Sequence, residues 1–140
     1  MIDHVVLDTN VLVAAVNSAQ GGSRIVLRRC LEGRCQPLVG EKLFREYEDV
    51  FGRDPIFHGA RLSRDERNQL LDAFLSVCRW TPVFFLWRPN LLDEGDNHLI
   101  ELAVAGGATA LITHNVRDFR HGDLRFPQFR IETPAEFLKR

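Results

Sequence analysis

A chain of 140 residues has the length of one ordinary domain, and 45% apolar with 26% charged residues are globular proportions. No stretch approaches the roughly 18 uninterrupted apolar residues of a membrane span, and Asp3 with His4 interrupts the apolar segment a secretory signal needs, so a soluble, cytoplasmic protein is expected. A net charge of −1 excludes general attraction to nucleic acid, so a partner of that kind must be held by a local patch.

The first apolar run, Val5-Val6-Leu7, reads as a buried strand that drives into Asp8, Thr9 and Asn10. Val11 to Val16 continues as a short helix until "NSAQGGS" breaks it at Gly21 and Gly22. Ser23 is expected to cap "SRIVLRRCLEGR", which Gly33 ends. Pro37 to Val39 is a strand candidate, and Glu41 opens "EKLFREYEDVFGR", where Leu43, Tyr47, Val50 and Phe51 recur at helical spacing. The segment "RDPIFHGARLS" is turn-rich. Ser63 with Glu66 then forms a capping box for the helix carrying Leu70, Leu71, Phe74, Leu75 and Cys78.

"PVFFLW" reads as a strand bounded by Pro82 and Pro89, followed by an acidic loop. "HLIELAVAGG" is a helix ending at Gly106, "ALIT" a buried strand, and "FRIETPAEFLKR" a strand whose Thr133 caps a final helix through Pro134. No repeat or linker interrupts the chain, so residues 1–140 are expected to form one domain. Strands alternating with helices predict a mostly parallel sheet of about five strands with helices on both faces. Cys30, Cys35 and Cys78 are an odd number without metal-ligand spacing and read as small buried hydrophobes.

In open α/β sheets, ligand sites lie beyond the carboxyl ends of the strands. Asp8 stands at one such end, and "ALITHN" ends a second apolar strand in Thr113 and Asn115. "NLLDEGDNHLIELA" places Asp93, Glu94 and Asp96 in a loop and at a helix start, and Glu46 borders a buried helix face beside Tyr47. Taken singly, Asp8 is also a turn residue, Asp96 also a helix cap, and Glu46 also part of a solvated face. Together they bring several carboxylates to one sheet edge, where like charges about 4 Å apart repel by roughly 4 kcal/mol at an effective dielectric near 20. A divalent cation resolves that conflict. Oxygen donors without His or Cys suit Mg²⁺ or Mn²⁺, and such an ion suits phosphoryl chemistry.

The ordered segments "VVLDTNVLVAAV", "LFREYEDVF" and "DEGDNHLIELAVAGGATALITHNVRDF", spanning residues 4–119, resemble the PIN-domain family, in particular its VapC-like toxin components of toxin–antitoxin systems. The resemblance implies a Rossmann-like α/β/α sandwich and a metal-dependent ribonuclease in which a metal-activated water attacks an RNA phosphodiester, leaving a 5′-phosphate and a 3′-hydroxyl. It assigns the metal-holding acids to Asp8, Glu46 and Asp96, with Asp93 an additional acid nearby. The last family position, commonly Asp, is Asn115 here, which removes one negative charge and leaves an oxygen donor, so one firm metal is expected. Thr9, Asn10 and Thr113 are expected to orient the acids, and Arg117 and Arg120 to hold flanking phosphates. His114, a loop histidine without an evident partner, is expected to be inert. An RNA substrate, an antitoxin protein and a second copy of the chain are the partners implied.

A phosphatase of the haloacid dehalogenase type also starts from a strand ending in Asp, and a response-regulator receiver domain likewise gathers acids at strand ends. The phosphatase pattern requires a second Asp where Asn10 stands, and both use a later lysine, whereas none occurs between Lys42 and Lys139. A PIN-like fold that has lost catalysis and serves as a binding module is the alternative that Asn115 motivates.

Overall fold

The computed structural model describes residues 2–83, 97–119 and 129–139. The described residues form five strands: β1 (Asp3–Leu7), β2 (Cys35–Val39), β3 (Arg79–Trp80), β4 (Ala110–Ile112) and β5 (Arg130–Glu132). They form one sheet in the order β3-β2-β1-β4-β5, and every pairing is parallel. Successive strands are added outward on one side of β1 as far as β3, after which the chain returns to lay β4 against the other side of β1. That reversal makes the gap between β1 and β4 the switch point of the sheet, where open α/β folds place their ligands.

Helices α1 (Thr9–Asn17), α2 (Gly22–Leu31), α3 (Glu41–Phe51), α4 (Arg64–Val77), α5 (Asn97–Gly106), α6 (Val116–Phe119) and α7 (Pro134–Leu138) flank the sheet. Val5, Val6 and Leu7 of β1 and Ala110, Leu111 and Ile112 of β4 are fully buried, as parallel strands covered on both faces must be. Helix α5 packs on β1, β2 and β4, whereas α2 packs on β2 and touches α1, α4 and α7. The expected capping box of Ser63 with Glu66 forms, and Thr133 caps the last helix as expected, there in a second box with Glu136. Cys30 and Cys35 are buried free thiols, as expected of small core residues.

One local expectation is corrected. Helix α2 begins at Gly22 with Gly21 as its cap and no side-chain cap bond, so Ser23 lies inside the first turn rather than before it. Strand β3, Arg79–Trp80, lies in register with Leu38 and Val39, just ahead of the strand expected at "PVFFLW", of which residues 84–87 lie outside the described residues. Within the turn-rich segment, Asp54–Phe57 forms a 3₁₀ turn. Arg67, 4% exposed, holds it by donating to Asp54 (2.5 Å) and the Phe51 carbonyl (3.2 Å) with its guanidinium over the Phe57 ring.

The contact that fixes α3 against the sheet is buried and polar. Tyr47 is fully enclosed, packs edge-on against Phe74, and donates its hydroxyl to the Leu7 carbonyl at 2.5 Å. Tyr47→Phe leaves that carbonyl without its donor in the core, and a lost buried hydrogen bond costs about 1–2 kcal/mol. Urea unfolding of the variant is expected to show that loss; an unchanged midpoint and slope would mean that the carbonyl finds another donor.

Candidate functional site

Asp8 follows the last residue of β1 and occupies the cap position of α1, yet its side chain makes no cap bond. The carboxylate instead turns across the switch point. Its Oδ2 accepts from Thr113 Oγ1 at 2.8 Å and from Asn10 Nδ2 at 3.3 Å. Thr113, fully buried just past β4, also accepts from the Asn115 N–H at 3.0 Å. Asn10 closes the group by accepting the His114 N–H on Oδ1 at 3.2 Å. The ends of the two strands, each apolar run continuing into Thr and Asn, are thus joined side chain to side chain.

Burial pushes the Asp8 carboxyl above its ordinary range; the Thr113 bond pulls it back, and the negative charge of Glu46 pushes it up again. Glu46 therefore faces the same space from α3, as its place beside the buried Tyr47 implies. Its Oε2 is buried and has no hydrogen-bond partner among the described residues, with His98 Nε2 at 3.6 Å. Two carboxylates in one partly dry cleft, one of them with an unsatisfied oxygen, are a donor set that a hard divalent cation fits.

The cleft has a volume of about 560 Å³, and Asp8, Thr9, Asn10, Glu46, Asn115 and Asp118 are among the residues that line it. Asp118 was not singled out in the sequence. Its signal was there, since Asn115 and Asp118 lie three residues apart at the start of α6, a spacing that puts them on one side of a helical turn. Thr9 faces the cleft, but its hydroxyl has no hydrogen-bond partner among the described residues; its backbone N–H is what reaches Asp8. Arg117 is exposed on α6. Asp93, Asp96 and Arg120 lie outside the described residues, and among the described residues no group of three or more His, Cys, Asp or Glu side chains is close enough to hold an ion. His114 has a partner after all, with Ser23 Oγ at 2.9 Å from its Nε2.

A sequence model of the PIN domain matches residues 4–117. The chain belongs to the PIN-domain family. Members of that family are generally nucleases, and the all-parallel five-stranded sheet flanked by helices is the fold expected of one. Among solved structures, this PIN domain is similar to a chain in the crystal structure of VapBC2 from Rickettsia felis bound to a DNA fragment from their promoter. The TM-score is 0.59 at 17% identity, with 93% of this chain and 98% of that chain covered, a likeness of fold. No curated protein matches the PIN domain described here.

The raised Asp8 carboxyl sets a pH dependence. The folded protein keeps this proton above the ordinary carboxyl range, so unfolding releases it in that window and stability falls as pH rises through it. Metal-free Asp8→Asn removes the buried charge while retaining an oxygen acceptor for Thr113. It is expected to melt higher than wild type near pH 7, with the gap closing as pH falls to the ordinary carboxyl range and below. A lower melting temperature at pH 7 would make the carboxylate a structural requirement.

Proposed function

We propose that this PIN domain is a Mg²⁺- or Mn²⁺-dependent endoribonuclease, folded as one domain over residues 1–140 and acting in the cytoplasm as the toxin of a toxin–antitoxin pair. The observation that carries the reading is the pair of acids, Asp8 and Glu46, lining one cleft at the switch point of the sheet, where the charge of Glu46 adds to the burial that disfavours an ionised Asp8. The fold likeness to a VapBC2 chain supports the antitoxin partner.

In this reading Asp8, Glu46 and Asp96 hold the ion, with Asp93 beside them, and Asn115 contributes a neutral oxygen. Bound there, the ion would neutralise charge on the scissile phosphate and make an attacking water more acidic. Thr113 and Asn10 hold Asp8 Oδ2 through two donated hydrogen bonds, which fix how the carboxylate would present itself to the cation. Asp118 restores to the cleft wall a negative charge that Asn115 lacks. Arg117 and Arg120 hold flanking phosphates of the RNA as forks.

Purified protein incubated with structured and single-stranded RNAs is expected to cleave with Mn²⁺ or Mg²⁺, to stop with EDTA, and to leave 5′-phosphate ends. Asp8→Asn and Glu46→Gln are expected to lose at least about 100-fold in rate, since even groups that only orient a ligand are worth 10- to 100-fold. Folded variants that still cleave would end the assignment.

The second reading, a PIN fold retained as a binding module, rests on Asn115. Calorimetry with Mn²⁺ separates the two, because an abandoned site has no reason to bind the ion. Asn115→Asp adds a carboxylate to the cleft and is expected to tighten Mn²⁺ binding by about tenfold, near 1.4 kcal/mol; weaker binding would place residue 115 away from the ion.

A further inference from the structure

Ser23 sits in the first turn of α2, a place where hydroxyls commonly turn back to the helix backbone. Here it pairs instead with a residue far along the chain. Ser23 is 4% exposed, and its Oγ is spent on His114 Nε2 at 2.9 Å, across 91 residues of sequence. His114 is itself exposed, as is Asn115. The segment from Thr113 to Asn115 bridges β4, which ends at Ile112, and α6, a helix of four residues with too few turns to fix its own position.

This short segment carries much of the cleft. Thr113 donates to Asp8, the His114 N–H donates to Asn10, the Asn115 N–H donates to Thr113, and the Asp118 N–H donates to the Asn115 carbonyl at 3.0 Å. The backbone of His114 therefore lies inside the network that sets Asp8, while its imidazole reaches out of the network to a different helix. Ser23 is anchored in turn, because α2 opens against the start of α7, where a Cβ on Gly22 would meet Leu138, Ala135 and Pro134 at 3.5–3.6 Å. A group held at one end by a packed helix and at the other by a site is a brace.

We propose that His114 is a positioning residue, held by Ser23, that fixes the segment between β4 and α6 so that Asn115 and Asp118 face Asp8 across the cleft. Its catalytic consequence rests on the nuclease reading given above; the bracing itself does not. A displacement of about 1 Å at a site of this kind is enough to cost 100-fold in rate, which is the scale on which one hydrogen bond holding a short loop matters. Among the described contacts, nothing else side chain to side chain ties this segment to α2.

Ser23→Ala deletes one buried oxygen and leaves the imidazole in place. Hydrogen exchange is expected to rise in the peptide covering residues 110–119 and to stay unchanged in β1, β2 and α4. Mn²⁺ affinity and kcat are each expected to fall by about tenfold with KM unaltered, the pattern of a group that aligns the site without touching substrate. His114→Ala is expected to match it, and the double variant to be no worse than either single one, since both remove the same bond. Unchanged exchange over 110–119 in Ser23→Ala would overturn the proposal. So would additive losses in the double variant, an effect confined to KM, which would make His114 a substrate contact, or loss of protection throughout the chain, which would make Ser23 a core residue. Failure of the nuclease reading has a different signature, a wild-type protein that neither cleaves RNA nor binds Mn²⁺, and the exchange comparison reads the brace in that case as well.

Discussion

One buried hydrogen bond, from the Tyr47 hydroxyl to the Leu7 carbonyl, sets the geometry on which the cleft depends. The residues it joins are the immediate neighbours of the two acids, with Leu7 next to Asp8 and Glu46 next to Tyr47. Asp8 belongs to the end of a strand and Glu46 to a helix that begins after the next strand, so nothing local relates them. The tyrosine relates them rigidly, because its ring is enclosed and its hydroxyl has a single acceptor. The burial that serves this bond also holds the phenol far above its ordinary pKa, so it remains a donor at any pH at which the chain is folded.

That rigidity has an energetic consequence. A compliant site would let two carboxylates separate until water screened them, whereas a braced one keeps the repulsion. Asp8 is partly rescued by donors from Thr113 and Asn10, yet the balance of its surroundings still disfavours the charged form. Glu46 keeps an oxygen with no hydrogen-bond donor among the described residues. Stability is thus given up locally at the switch point and recovered in the apolar strands behind it, and any cation that binds the folded state returns part of it by linkage.

What could be read from the sequence follows the range of the interactions involved. The Ser63 capping box, the Thr133 cap, the buried strands β1 and β4 and the helical spacing of α3 are local patterns, and they formed where the residues placed them. The convergence of Asp8 with Thr113 was legible because two strand ends carried the same Thr-and-Asn continuation. Ser23 was misread because its local signal, a hydroxyl at a helix start, is outweighed by a partner 91 residues away. Asp118 reaches the cleft only because the chain turns into α6 after Asn115, which the apolar strand pattern before it does not encode.

Asn115 and Asp118 together change what the departure from the family pattern means. If the acid at the end of β4 were simply lost, the cleft would carry less negative charge and the case for a binding module would grow. The cleft wall instead includes a carboxylate three residues later, on the other end of the same short turn, and the Asp118 N–H bonded to the Asn115 carbonyl ties the two residues together. In the proposed site, the negative charge of this segment would therefore sit at Asp118 rather than at residue 115. A cation attracted by charge over the whole cleft is less affected by such a move than one that depends on a particular bond, because the Coulomb term decays slowly while coordination is all or nothing. The move does make the site more sensitive to where the segment lies, and it is this segment that Ser23 and His114 brace from the far side.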